Sequence, residues 1–215
     1  ERLLDAVARQ DPRAAAEAVK AGLSGGLTAD MLLDRLGIAA MRITAEAGGH
    51  ELPTETYLQV GDVLQQALAR LEPVLAREPQ STAQGVVVLG NAFEDYHNLG
   101  RRLVAISLQA AGFRVIDLGL SVSNDRFVEA VREYGAAVVG VSSLLLHTAK
   151  WIPRLREQLR RAGLGHVAVI AGGAPFLVDP ELRDRFEVDG VGRSPADAVR
   201  LVRALVAERQ GGSVA

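Results

Sequence analysis

Asp95, His97 and Gly100 stand at the spacing Asp-x-His-x-x-Gly within the stretch Asn-Ala-Phe-Glu-Asp-Tyr-His-Asn-Leu-Gly, residues 91 to 100. A neutral imidazole binds a transition metal through one ring nitrogen and commonly gives its other N–H to a carboxylate, which sets its tautomer and orientation. On that chemistry His97 is a candidate metal ligand with Asp95 behind it, and Gly100 lets a bulky ligand or a neighbouring element come close to the backbone. The same residues also have a plainer reading, as a solvated His in a polar loop with Asp95 or Asn98 capping a helix that begins near Leu99.

Two further runs could complete a site. Ser142-Ser143-Leu144-Leu145-Leu146-His147-Thr148 offers a hydroxyl at Ser142 for a buried polar ligand atom and an apolar side chain at Leu144 for a ligand face. Alternatively the three leucines are core and the serines cap the next helix. Gly172-Gly173 admits a close backbone approach, or simply punctuates a strand-to-turn junction.

The elements that must position these residues follow from periodicity. Short apolar runs rich in β-branched residues predict strands at 86 to 89, 114 to 118, 137 to 142, 167 to 171 and 188 to 191. Between them lie helical patterns at 99 to 111, 124 to 134 with Asn124 as N-cap, 149 to 162, a short piece near 180 to 186, and 195 to 209. Strands separated by crossovers of helical length demand a parallel sheet covered on both faces. The flavodoxin-like order 2-1-3-4-5 puts its switch point between the first and third strands, so loops 91 to 98 and 143 to 148 flank one crevice.

Residues 1 to 79 carry no strand pattern and read as a helical bundle: a helix over 2 to 21, a second from Thr28 to near Gly48, and a third opened by Pro53. Pro73 either breaks the third helix or starts a short fourth turn. The polar, Pro-containing segment 77 to 84 reads as a linker to an α/β unit over 80 to 215.

Composition narrows the chemistry. The chain has no cysteine, so any metal is held by His or carboxylates rather than thiolates. A net charge of -2 gives no reason to expect nucleic acid or an anionic membrane as partner. No apolar run approaches the roughly 20 residues of a membrane span, and the start reads as helix rather than a signal peptide, so a cytoplasmic protein is expected.

Taken in order on successive loops of such a sheet, Asp95-x-His97-x-x-Gly100, Ser142-x-Leu144 and Gly172-Gly173 resemble the signature of the cobalamin-binding domain family. The resemblance covers about residues 85 to 206. It implies a cofactor, cobalamin or a related cobamide, bound with its own lower base pulled away. His97 would take the vacated position on cobalt with Asp95 tuning it, and the nucleotide tail would enter a slot lined by Ser142, Leu144, Gly172 and Gly173.

Some positions differ from the family pattern. Glu94 and Arg101 stand where relatives often have Gly and Lys, and Leu146 where the methyl-carrier branch often has Thr. The run Ser142-Ser143-Leu144 with His147 nearby resembles the acyl-CoA mutase branch instead. Met41-Arg42-Ile43 followed by Glu51-Leu52-Pro53 resembles the bundle that shields the upper cofactor face in methyltransferase corrinoid proteins. The implied function is therefore a corrinoid protein carrying a methyl group on cobalt between partner methyltransferases. A sensor module responding to adenosylcobalamin or light, and the small cobalamin-binding subunit of an acyl-CoA mutase, are the alternatives. No basic helix-turn-helix pattern accompanies the sensor reading, and mutase cobalamin domains typically lack such a bundle.

Overall fold

The computed structural model describes residues 1–46, 54–75 and 84–211. Its first part is helical: α1 (Arg2–Ala8), α2 (Pro12–Ser24), α3 (Ala29–Glu46) and α4 (Thr54–Leu75). The single helix expected over 2 to 21 is instead two. Pro12 heads α2, the Asp11 side chain accepts the Ala14 N–H at 2.9 Å, and Gln10 takes φ +55°, a left-handed turn that no helix passes through. Asp-Pro was the signal, and apolar spacing across it obscured the break. Thr28 does cap α3, accepting from Met31 N–H at 3.2 Å. Pro73 lies inside α4 without ending it; the helix runs on to Leu75. Met41-Arg42-Ile43 falls within α3, while Glu51-Leu52-Pro53 and most of the 77 to 84 segment lie outside the described residues.

The second part is a parallel sheet of β1 (Val86–Asn91), β2 (Arg114–Asp117), β3 (Val138–Ser142), β4 (Ala168–Gly172) and β5 (Gly190–Gly192), in the order β2-β1-β3-β4-β5. Crossovers run through α5 (Leu99–Ala110), α6 (Asn124–Tyr134), α7 (Leu146–Ala149), α8 (Ile152–Arg161), α9 (Ala174–Val178) and α10 (Leu182–Arg185), and α11 (Pro195–Gly211) follows β5. Alternation sorts each strand between two cores. Val87, Leu89, Val138, Ala168 and Ile170 pack with Leu108 of α5 and Val202 of α11. Val88, Val139, Val141, Val169 and Ala171 pack with Phe127 of α6 and Leu155 of α8. Both faces are thus dry, which is why the strands read as unbroken apolar runs.

Local chemistry moved three boundaries. Ser123, not Asn124, caps α6 by accepting from Arg126 N–H at 3.3 Å; the Asn124 amide donates to the Trp151 carbonyl at 3.1 Å. The helix expected over 149 to 162 is split at Lys150-Trp151, with Pro153 in the first turn of α8. The short piece near 180 to 186 is α10, preceded by α9 directly after Gly173.

Two features set up the site. Register places Asn91, Ser142, Gly172 and Gly192 side by side across β1, β3, β4 and β5, one row at the carboxyl edge of the sheet. Helix α5 belongs to both halves, since its Leu103 completes the bundle core of Leu32, Leu33, Leu36, Leu64 and Leu68 while Ala105 and Leu108 face the sheet. Asp34 of α3 also accepts the Ala196 N–H at 3.1 Å, satisfying one of the open amides at the start of α11.

Candidate cofactor site

A cleft, partly open to solvent, lies between the carboxyl edge of the sheet and the bundle. Leu89, Gly140, Val141, Ile170 and Ala171 come from the strands, Leu99, Leu103 and Val104 from α5, and Pro195 and Ala198 from α11. The bundle adds Gly37, Val60, Gly61 and Leu64. Of the residues predicted from sequence, His97, Gly100, Ser142, Leu144, Gly172 and Gly173 line this cleft, and Asp95 sits directly behind it, fully buried.

Asp95 is a hub rather than a helix cap. Its Oδ1 accepts from the His97 backbone N–H (2.9 Å), the His97 ring Nδ1 (3.0 Å) and the Asn91 amide (3.2 Å). Its Oδ2 accepts from the Leu144 N–H at 2.6 Å, with the Thr148 hydroxyl at 3.2 Å. Burial pushes the carboxyl pKa upward, but the hydrogen bonds from the His97 ring and the Leu144 and His97 amides, with the attraction of His97, outweigh it and hold the group below its ordinary 3.8. A carboxylate only accepts, so Nδ1 of His97 donates and Nε2 carries the lone pair that a metal takes. Asn98 precedes α5 without any side-chain cap bond, so neither alternative capping role for this loop is realised.

The β3 loop also departs from its plainer reading. Leu144 and Leu145 are half-buried and Leu146 is 51% exposed, so they are not core. The buried hydroxyl is Ser143, not Ser142: Ser143 Oγ bonds the Leu145 carbonyl (3.0 Å) and Thr148 Oγ1 (2.7 Å), folding the loop on itself. Ser142 is half-buried at the cleft edge, where its hydroxyl can meet a ligand.

The glycines divide by task. Gly173 has φ +116°, and a Cβ there would overlap the Ser143 carbonyl, so the approach it permits is to the neighbouring loop as much as to a ligand. A Cβ on Gly100 of α5 or Gly61 of α4 would meet nothing within 4 Å, although glycine costs a helix about 1 kcal/mol relative to alanine. Both face the cleft, and the space in front of them has the character of a cradle kept open for a bulky group.

The donor set fits a metal that brings its own equatorial ligands. One imidazole enters the cleft, and among the described residues no group of three or more His, Asp or Glu side chains could hold a bare ion. A corrinoid needs a single axial nitrogen, room for a macrocycle and an apolar slot for its tail. Sequence reasoning missed Asn91 and Thr148 and treated Arg101 only as a departure from a pattern. The signals were a lone amide ending an apolar strand and an Arg in the buried stripe of α5, where Arg101 is 7% exposed.

Comparison with known proteins agrees. Residues 85–200 match the B12 binding domain family. The trimethylamine corrinoid protein 2 of Methanosarcina acetivorans is 31% identical over 207 residues, 94% of each chain. Among solved structures, the Methanosarcina barkeri monomethylamine corrinoid protein superposes with a TM-score of 0.80 at 24% identity, over 95% of this chain and 97% of that one. A chain of the methanol:cobalamin methyltransferase complex from the same organism has a TM-score of 0.54 at 20% identity, over 96% and 78%; both likenesses are of fold. The chain belongs to the B12-binding domain family, among its corrinoid proteins, and its cofactor is cobalamin or a related cobamide.

Proposed function

We propose that this protein carries a methyl group on a bound corrinoid between partner methyltransferases, with His97 Nε2 as the lower cobalt ligand. The observation that carries the reading is the placement of the His97–Asp95 pair on the floor of a cleft whose roof is the bundle. When bound, the corrinoid supplies a cobalt able to accept and give up a methyl group. The chain's own residues bind, orient and shield it. Asp95 keeps His97 in the tautomer that offers Nε2, and Ser142, Leu144, Gly172 and Gly173 border the slot for the nucleotide tail. Val60 and Leu64 line the cleft on the bundle side, where their hydrocarbon would shield the bound group from water. Partner enzymes would have to reach the bound group through the cleft that the bundle covers, which would call for the bundle to move relative to the sheet in turnover.

Full-length similarity, bundle included, to a trimethylamine corrinoid protein supports a carrier over a mutase subunit. Methylamines with their methyltransferase are therefore the first donors to test. The unit boundaries at 79 and 80, and a cytoplasmic location, are part of the same proposal; among the described residues no helix is long and apolar enough to cross a membrane.

The test is to reduce the cobalamin-loaded protein and add methyl iodide in the dark. A carrier takes up the methyl group, shown by its absorption spectrum, and keeps it until light or an acceptor enzyme removes it. Much tighter binding of adenosylcobalamin than of methylcobalamin, with a light-dependent change of oligomer, would replace this reading by the sensor.

A further inference from the structure

Asn91, the last residue of β1, is fully buried, and its side chain is used on both sides. Its Nδ2 donates to Asp95 Oδ1 at 3.2 Å and to the His97 carbonyl at 3.1 Å; its Oδ1 accepts from Arg101 Nε at 2.8 Å. The partners dictate which way the amide faces. A guanidinium has donors only, while a carboxylate and a carbonyl are acceptors only, so a flipped Asn91 would oppose donor to donor and acceptor to acceptor. Arg101 is itself held by an ion pair with Asp117 at the end of β2.

We infer that Asn91 and Arg101 are positioning residues that lock the Asp95–His97 pair and thereby set how completely His97 occupies cobalt, a role that rests on His97 being the lower ligand. Two of the bonds fixing the His97 loop depend on the Asn91 amide: one to the carboxylate that holds the ring, one to the backbone carbonyl of His97 itself. Without the Arg101 donor, the buried Asn91 oxygen loses its partner, and the amide can tilt towards another donor, loosening its bonds to Asp95 and to the His97 carbonyl. Arg101 itself lines the cleft and Asn91 does not, but the slot bordered by Ser142, Leu144, Gly172 and Gly173 includes neither, so cofactor retention and His97 ligation separate. No covalent step is involved; the effect is on geometry.

The test uses the full-length protein loaded with cobalamin and reduced to the cob(II) state. Electron paramagnetic resonance reads the imidazole nitrogen splitting, and absorbance titration reads cobalamin affinity. In Arg101→Met, which keeps the chain length and removes the donor, the splitting falls to a minor fraction of the signal while affinity weakens by no more than about 10-fold, the lower end for groups behind a metal ligand. Arg101→Lys restores a donor and recovers most of the splitting. Should Arg101→Met not fold, Asn91→Ser, which leaves the Arg101–Asp117 ion pair in place, carries the same expectation. Full splitting in every folded variant overturns the positioning role. An absent splitting in wild type, or one that survives His97→Ala, overturns the His97 reading, and this inference falls with it.

Discussion

On the sheet side of the cleft the buried polar side chains are linked into one network: Asp95 accepts from His97, Asn91, Leu144 and Thr148, and Asn91 accepts from Arg101. On the bundle side the described lining is Gly37, Val60, Gly61 and Leu64, hydrocarbon and bare backbone. The first wall is directional and tolerates no rearrangement, because each member of a buried polar network that loses its partner costs the full desolvation of that group. The second is non-directional, tied to the sheet unit among the described residues by the hydrogen bond from the Ala196 N–H to Asp34. Chemistry that requires a fixed lower ligand and an upper face opened in turn to two partners suits that division.

The largest effect should come from the sheet side. Gly173→Ala forces a side chain at φ +116° into the Ser143 carbonyl, so destabilisation on the order of 3 kcal/mol or more is expected in thermal or urea unfolding. A near-wild-type melting curve would mean that the β3 and β4 loops adapt, and the contrast between rigid and yielding walls would fail. Next, Asp95→Asn replaces an acceptor of five contacts by an amide that must present donors to donors. Cobalamin affinity should drop by about 10- to 100-fold in an absorbance titration, with the fold retained by circular dichroism.

How much of this was legible in the sequence depends on the range of the physics involved. Strand order, the loop carrying Asp95 and His97, and the strand ends carrying Ser142 and Gly172 follow from apolar period and crossover length, local signals that tertiary context reinforced. The break at Gln10-Asp11-Pro12 is written in the sequence as a cap followed by proline, but apolar spacing continues across it and suggests one helix. The role of Asn91 was not legible, because its partners lie 4, 6 and 10 residues away on a loop and a helix whose relative placement only the folded sheet supplies. Ser143 rather than Ser142 being the buried hydroxyl is likewise a matter of which way β3 ends.

From the bundle side, Gly61→Leu fills open space. The apo protein should gain up to about 1 kcal/mol in helix stability, while cobalamin binding weakens by about 10-fold or more, the scale of ill-fitting methylenes in a pocket. Unchanged affinity would show that the cofactor does not reach this wall. The smallest effect concerns Glu94, whose φ of +65° and N–H bond to Ser121 Oγ at 3.0 Å explain why glycine suits the position. Glu94→Gly should stabilise by about 0.5 to 1 kcal/mol through relief of that strain, with cofactor affinity unaltered; a loss of stability would place the Glu94 side chain in an unrecognised interaction.

The central claim, that His97 and not the cofactor's own base sits under cobalt, is most directly tested by isotope. Protein made with imidazole-15N-histidine, loaded with cobalamin of natural abundance and reduced to the cob(II) state, should show the nitrogen splitting in electron paramagnetic resonance change from a triplet to a doublet. The change should disappear together with the splitting in His97→Ala. A triplet that persists after labelling would mean that the cofactor's base is still coordinated, and the account of this site given by Asp95 and His97 would be wrong.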